Sequence, residues 1–193
     1  MSIRVLGICG SLRPDSVTAR AVHIALQGAA ELGAETQFLD LADLGLPFCD
    51  ARDDDESYPE IVNTFREAIR ISHGIILGTP EYHNSLTGAL KNALDLCSTR
   101  EFEHKMVGVI GVAGGGMGAI NSINHLRTIM RGVGAWVVPH QVSIANSSRF
   151  SDEDFGDQTP QLTSRLIKLG SDVTKFARLI AAGIIDVDTD ETS

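Results

Sequence analysis

Short apolar runs alternate with longer stretches of helical spacing along the whole chain. Ile3 to Gly10 is an apolar run closed by Gly, which predicts a buried strand. Ser16 then offers an N-cap, and Val17, Ala21, Ile24, Ala25, Gly28 and Leu32 recur on one helical face until Gly33 stops the pattern. Thr36 to Leu41 predicts a second strand. Pro59 suits the first turn of a helix whose apolar face is Ile61, Val62, Phe65 and Ile69. Gly74 to Gly78, with Ile75-Ile76-Leu77, predicts a third strand, followed by a helix from about Ser85 to Ser98. Met106 to Ala113 predicts a fourth strand, and a Gly cluster leads into a helix near Ala119 to Met130. Ala135 to Ile144 predicts a fifth strand, interrupted near Pro139, and a last helix runs from about Pro160 to Ala182.

Near-continuous apolar strands that alternate with helices imply a parallel sheet covered on both faces. Right-handed crossovers make it doubly wound. The fold class is therefore α/β, a doubly wound five-stranded parallel sheet, and the common strand order for five strands is 2-1-3-4-5. No linker, repeat or low-complexity segment divides the chain, so a single domain over residues 1–185 is expected, with a polar tail from Asp186 to Ser193. The acidic stretch Ala42 to Tyr58, with Asp53-Asp54-Asp55-Glu56, reads as a solvated loop.

Composition narrows the function. The net charge is −9, against the basic face that a phosphate-backbone binder needs, which disfavours nucleic acid. No apolar run approaches the ~20 residues of a membrane span, and the N-terminal run is too short for a signal peptide, so a cytoplasmic location is expected. Cys9, Cys49 and Cys97 are odd in number and lack a Cys-x-x-Cys pair, which fits a reducing compartment and neither a disulfide framework nor a metal site. Cys9 reads as a small core residue, and Met130 and the single Trp136 likewise read as core.

In a doubly wound sheet the ligand sits beyond the strand C-termini where the order switches, here between strands one and three. Three loops reach that place. Gly10-Ser11-Leu12-Arg13-Pro14-Asp15-Ser16-Val17-Thr18 joins a buried strand to a helix start. The free N–H groups and positive dipole end of such a start bind anions, and Ser11, Ser16, Thr18 and Arg13 add hydroxyls and charge. The loop has no Gly-Lys-Ser/Thr and no Gly-x-Gly-x-x-Gly, so it is neither a P-loop nor a dinucleotide fingerprint. Thr79-Pro80-Glu81-Tyr82-His83-Asn84-Ser85 joins a stiff Pro to a flat Tyr ring and polar edges, a wall for a planar heterocycle. Gly114-Gly115-Gly116-Met117-Gly118-Ala119 formally matches Gly-x-Gly-x-x-Ala. No Asp or Glu occurs from Lys105 to Ser151 to take a ribose, so the dinucleotide reading fails there.

With these loops in place the sequence resembles the NADPH-dependent FMN reductases, a flavodoxin-like family that includes quinone, azo-dye and chromate reductases. The resemblance is carried by Gly10-Ser11-Leu12-Arg13 with Ser16, and by Thr79-Pro80-Glu81-Tyr82 through Gly88-Ala89-Leu90-Lys91-Asn92-Ala93-Leu94-Asp95. Many members have Asn directly after Glu-Tyr; here His83 stands first and Asn84 follows. The resemblance implies that Ser11, Arg13, Ser16, Val17 and Thr18 hold an FMN phosphate. It implies that Pro80, Glu81, Tyr82, His83 and Asn84 line the isoalloxazine and ribityl chain, and that Gly114, Gly115 and Met117 close the pocket near the ring's polar edge. Lys91, Asn92 and Asp95 look structural. NADPH is the implied hydride donor, with Arg13 or Arg100 facing its 2′-phosphate, and a small molecule (free flavin, quinone, azo compound or chromate) is the acceptor in a ping-pong reaction. No catalytic side chain is expected, because the flavin carries the chemistry. The family forms homodimers, often paired into homotetramers. The alternatives are a flavodoxin-type electron carrier and a flavin-binding regulator without efficient NADPH turnover. A receiver-like signalling domain would need an acidic pair and a phosphorylatable Asp where Gly10-Ser11 and Pro80-Glu81 stand.

Overall fold

The computed structural model describes residues 2–52, 57–150 and 160–185. In chain order it contains β1 (Arg4–Cys9), α1 (Val17–Ala30), β2 (Glu35–Asp40), α2 (Leu41–Leu44), α3 (Glu60–Arg70), β3 (Gly74–Tyr82), β4 (Ser85–Leu86), α4 (Gly88–Asp95), α5 (Thr99–Phe102), β5 (Met106–Val112), α6 (Ile120–Gly132), β6 (Trp136–Val137), β7 (Val142–Ile144) and α7 (Pro160–Ala181). The parallel sheet runs β2-β1-β3-β5-β6, with β7 also on β5. This is the expected switch of order between the first and third strands. The expected fifth strand is split into β6 and β7, because Pro139 between them has no N–H to give a ladder.

The sheet differs from expectation at the end of the third strand. β3 does not stop at Gly78 but continues to Tyr82, turns over His83-Asn84 and returns antiparallel as β4, pairing Glu81 with Leu86 and Tyr82 with Ser85. His83 and Asn84 have φ of 51° and 64°, the left-handed pair a two-residue hairpin needs to match strand twist. Ser85 is therefore in a strand, and the helix it was expected to open starts at Gly88 with Thr87 as N-cap.

The two faces are packed differently. On one face, α1 and α7 bury Ala21, Val22, Ala25, Leu166, Leu169 and Val173 against the sheet. The backbones of these helices touch: a Cβ on Gly170 would lie 1.7 Å from the Ala25 carbonyl oxygen, and one on Gly28 would lie 2.1 Å from that of Ile167. The other face holds larger side chains from α3, α4, α5 and α6, among them Phe65, Leu90, Phe102, Leu126 and Met130. Each contributes roughly 1.5–3 kcal/mol by leaving water. Cys9 is in the core, as expected, and burial raises its thiol pKa. Burial also pushes the Cys97 thiol up to about 12. Trp136 was expected inside; it is 48% exposed on β6 at the sheet edge.

The acidic stretch is more ordered than a solvated loop where it is described. The Asn92 amide donates to the Pro47 carbonyl (2.8 Å) and accepts the Cys49 N–H (2.9 Å), while Tyr58 is buried against Val62 and Leu96. Hydrogen bonds from Arg52, then from Tyr58, hold the Asp50 carboxyl far below the usual carboxylate range. The Lys91 ammonium pairs with Asp95 at 2.6 Å. These contacts give Lys91, Asn92 and Asp95 structural work. Asp53 to Glu56 and the expected tail from Asp186 lie outside the described residues. Among the described residues no helix is long and apolar enough to cross a membrane, and no cluster of His, Cys, Asp and Glu is placed to hold a metal ion.

Candidate functional site

A cavity of about 750 Å³ lies at the C-terminal ends of β1, β3 and β5. That volume is within the usual range for small-molecule and cofactor pockets. One end is formed by a single stretch of chain. Ser16 caps α1, its Oγ accepting the Ala19 N–H at 3.0 Å, and the first turn carries no acidic residue. The Val17 and Thr18 N–H groups belong to the turn that has no intrahelical acceptor. Ser11 is 1% exposed and its Oγ accepts the Arg13 N–H at 3.3 Å, which folds the loop back over the helix start. Ser11, Arg13, Ser16, Val17 and Thr18 all line the cavity. So do Pro14, Asp15 and Arg20, which were not expected. Arg20 was legible: it follows Ser16 by four residues, one helical turn along the same face.

The other end draws on three separated segments. Pro80, Glu81 and Tyr82 line it from β3, Val112 and Gly114 from the end of β5, and Ser147, Ser148 and Phe150 from the segment after β7. Tyr82 is half exposed at the mouth. Thr87 fixes this end relative to the first, donating from its Oγ1 to the Gly10 carbonyl at 2.7 Å while its N–H reaches Thr79 Oγ1 at 3.1 Å. Ala113 and Gly115 carbonyls accept the Ser147 and Asn146 N–H groups, both at 3.0 Å, which brings the post-β7 segment over the Gly loop.

Four expected residues do not form the cavity wall in this chain. His83 and Asn84 occupy the exposed hairpin tip, Gly115 serves the clasp to Asn146, and Met117 is 92% exposed. Arg100 lies in α5, just ahead of β5 and so at the opposite end of the sheet from the cavity. Ser147, Ser148 and Phe150 had no sequence signal beyond a polar run ending in an aromatic. Their contribution depends on how the chain returns after β7.

A helix start with free N–H groups beside a cavity at the sheet's switch point is the arrangement of nucleotide- and flavin-binding proteins of the doubly wound class. Residues 3–149 match the family model described as NADPH-dependent FMN reductase, and the chain belongs to that family. It is 36% identical to an NADPH azoreductase from Bacillus sp. (strain OY1-2), over 69% of this chain and 74% of the relative. It is 34% identical to a 2-hydroxy-1,4-benzoquinone reductase from Burkholderia sp, over 67% and 70%. Among solved structures it resembles the flavoenzyme NAD(P)H:(acceptor) oxidoreductase FerB from Paracoccus denitrificans, with a TM-score of 0.69 and 26% identity over 90% of this chain and 97% of that one. The chain is thus an NAD(P)H-dependent, FMN-using oxidoreductase, which favours the reductase reading over the electron carrier and the regulator.

Proposed function

We propose that the cavity holds FMN as a bound cofactor, and that the enzyme takes reducing equivalents from NADPH and delivers two electrons to a quinone or azo acceptor in a ping-pong sequence. The observation that carries this reading is the lining of the cavity: a helix start with three hydroxyls and two guanidinium side chains from one stretch of chain, and Pro80, Tyr82 and Gly114 from others. FMN, when bound, supplies the hydride chemistry, because its ring exchanges hydride with a nicotinamide and with an acceptor. Ser11, Ser16 and the first-turn N–H groups of α1 hold the phosphate, with Arg13 supplying charge. Pro80 and Tyr82 hold the ring from one side, and Gly114 lets the backbone approach its polar edge. With Arg100 at the far end of the sheet, Arg13 and Arg20 are the guanidinium groups at the cavity for the NADPH 2′-phosphate.

His83, Asn84, Gly115 and Met117 retain a role only as residues around the mouth. Exposed apolar side chains stand in the same cavity-forming loops: Leu12 in the phosphate loop, Tyr82 on the hairpin, Met117 and Ile120 at the Gly loop and the start of α6. They support a homodimer, or a homotetramer of two dimers, in which a second copy covers the mouth. Three free thiols support a reducing, cytoplasmic setting. Residues 1–185 act as one FMN-binding domain.

The test is the visible spectrum of the purified protein, followed by NADPH addition without oxygen. A bound yellow flavin that bleaches within seconds is expected. FMN that stays oxidised with NADPH but bleaches with dithionite would replace the reductase reading with the carrier. No uptake of added FMN would overturn every site assignment.

A further inference from the structure

α6 begins at the cavity with an incomplete cap. Its N-cap residue is Ala119, which offers no side-chain acceptor, and its first turn holds no acidic residue. The missing acceptor comes from 41 residues away: Glu81 Oε2 accepts the Ser122 N–H at 2.9 Å. The same hairpin makes two further ties to this helix. Ser85 Oγ meets His125 Nδ1 at 3.0 Å, and the Asn121 amide donates to Asn84 Oδ1 at 3.5 Å. The tie is local as well as long-range, because the Gly loop leads directly into α6 and Ala119 N–H is fixed by Ser143 Oγ at 2.9 Å. The β3–β4 hairpin and the Gly loop, two walls of the ring end, are therefore held as one unit through the start of α6.

The electrostatic consequence separates the two helix starts at the cavity. That of α1 keeps its positive end for an anion, with a neutral Ser as cap. That of α6 has its positive end met by the carboxylate of Glu81, a residue that lines the cavity. A negative charge beside a bound flavin opposes the charge the ring gains on reduction.

We propose that Glu81 is a positioning residue that ties the Tyr82 hairpin to the start of α6 and, by cancelling that helix's positive end, holds down the reduction potential of the bound flavin. The second half of the proposal rests on the reading that the cavity holds FMN. It also separates the two things a flavin-binding cavity must do: grip a dianionic phosphate, and keep the ring from becoming too stable once reduced.

Three proteins test it, wild type, Glu81→Gln and Glu81→Ala, each measured for melting temperature without flavin, for FMN dissociation constant, and for the midpoint potential of the bound flavin against a reference dye. Gln keeps an oxygen acceptor for Ser122 N–H and removes the charge. E81Q is expected to melt near wild type, to bind FMN within about 3-fold of it, and to show a less negative potential. E81A is expected to melt lower and to bind FMN about 10-fold more weakly. An unchanged potential in E81Q would reduce Glu81 to a helix cap and overturn the electrostatic claim. An unchanged melting temperature in flavin-free E81A would overturn the tie. Failure of the wild type to take up FMN would overturn the cofactor reading and the potential claim with it, while the flavin-free melting comparison would still judge the tie.

Discussion

The two ends of the cavity are made in different ways. The α1 side, proposed for the phosphate, is one continuous stretch, Ser11 to Arg20, in which Ser16 caps its own helix and Ser11 braces its own loop. The side proposed for the ring is assembled from Pro80 to Tyr82, Val112 with Gly114, and Ser147, Ser148 and Phe150, held by bonds from Glu81 to Ser122, Ser143 to Ala119 and Ser147 to Ala113. A contiguous site forms as soon as its helix does. An assembled site exists only when the sheet, the hairpin and the post-β7 segment are all in place. In ligand affinity, changes at the first end should therefore act on the phosphate, and changes at the second should act on the whole ring.

The largest contrast is expected from Arg13→Ala. A charge-assisted bond contributes about 1.5–3 kcal/mol, so FMN affinity should fall about 10- to 100-fold while riboflavin, which lacks the phosphate, binds as before. Fluorescence titration with both flavins measures it, and equal losses for the two would place Arg13 at the ring instead. At the other end, Gly118 has φ of +73° and a Cβ there would lie 2.4 Å from Ser143 Oγ. Gly118→Ala should cost about 1–2 kcal/mol from the left-handed backbone alone and lower the melting temperature by roughly 2–4 °C for each kcal/mol. FMN and riboflavin should weaken together in this variant; a loss confined to FMN would contradict the division. Ser16→Ala removes the α1 cap and should cost about 1 kcal/mol, again with FMN affected more than riboflavin.

How much of this was legible follows the same division. That Ser11, Arg13, Ser16, Val17 and Thr18 share one cavity wall is legible because they are adjacent in sequence and lead into a helix start. Arg20 lies two residues beyond Thr18, outside the loop motif. The sheet order was readable from five apolar runs. The hairpin at Tyr82 was not, because its turn is His83-Asn84, without the Asn-Gly or Asp-Gly pair that marks such turns; the run past Gly78 therefore looked like a loop and Ser85 like a helix start. Glu81 lines the cavity, where the resemblance places it, but nothing local shows that its carboxylate reaches the N-terminus of a helix 41 residues on. Ser147, Ser148 and Phe150 join the wall only through tertiary closure.

A smaller effect sets the cavity against the opposite end of the sheet. His73 Nδ1 accepts the Arg4 N–H at 3.1 Å, which requires the neutral ring. Burial, then the charges of Lys105 and Arg4, holds its pKa below 6.5. The unfolded chain therefore binds the extra proton first, so this contribution is present above about pH 6.5 and is lost as pH falls through the folded value. His73→Gln should flatten the fall in melting temperature below about pH 6.5 without altering flavin binding; an unchanged slope would remove His73 as its source. The smallest effect is expected at Ser122, whose Oγ is buried and has no partner among the described residues. Ser122→Ala should leave the melting temperature unchanged or raise it slightly, and a clear fall would reveal a bond from this hydroxyl.

The proposed division of the cavity places a phosphate site at the start of α1 and a ring site on the β3 and β5 side. Its most direct measurement is the ratio of riboflavin to FMN dissociation constants for the flavin-free wild-type protein. FMN binding at least about 10-fold tighter than riboflavin is the predicted result, equivalent to about 1.4 kcal/mol from the phosphate. Equal affinities would show that the phosphate makes no contact of value, and would contradict the assignment of Ser11 to Thr18.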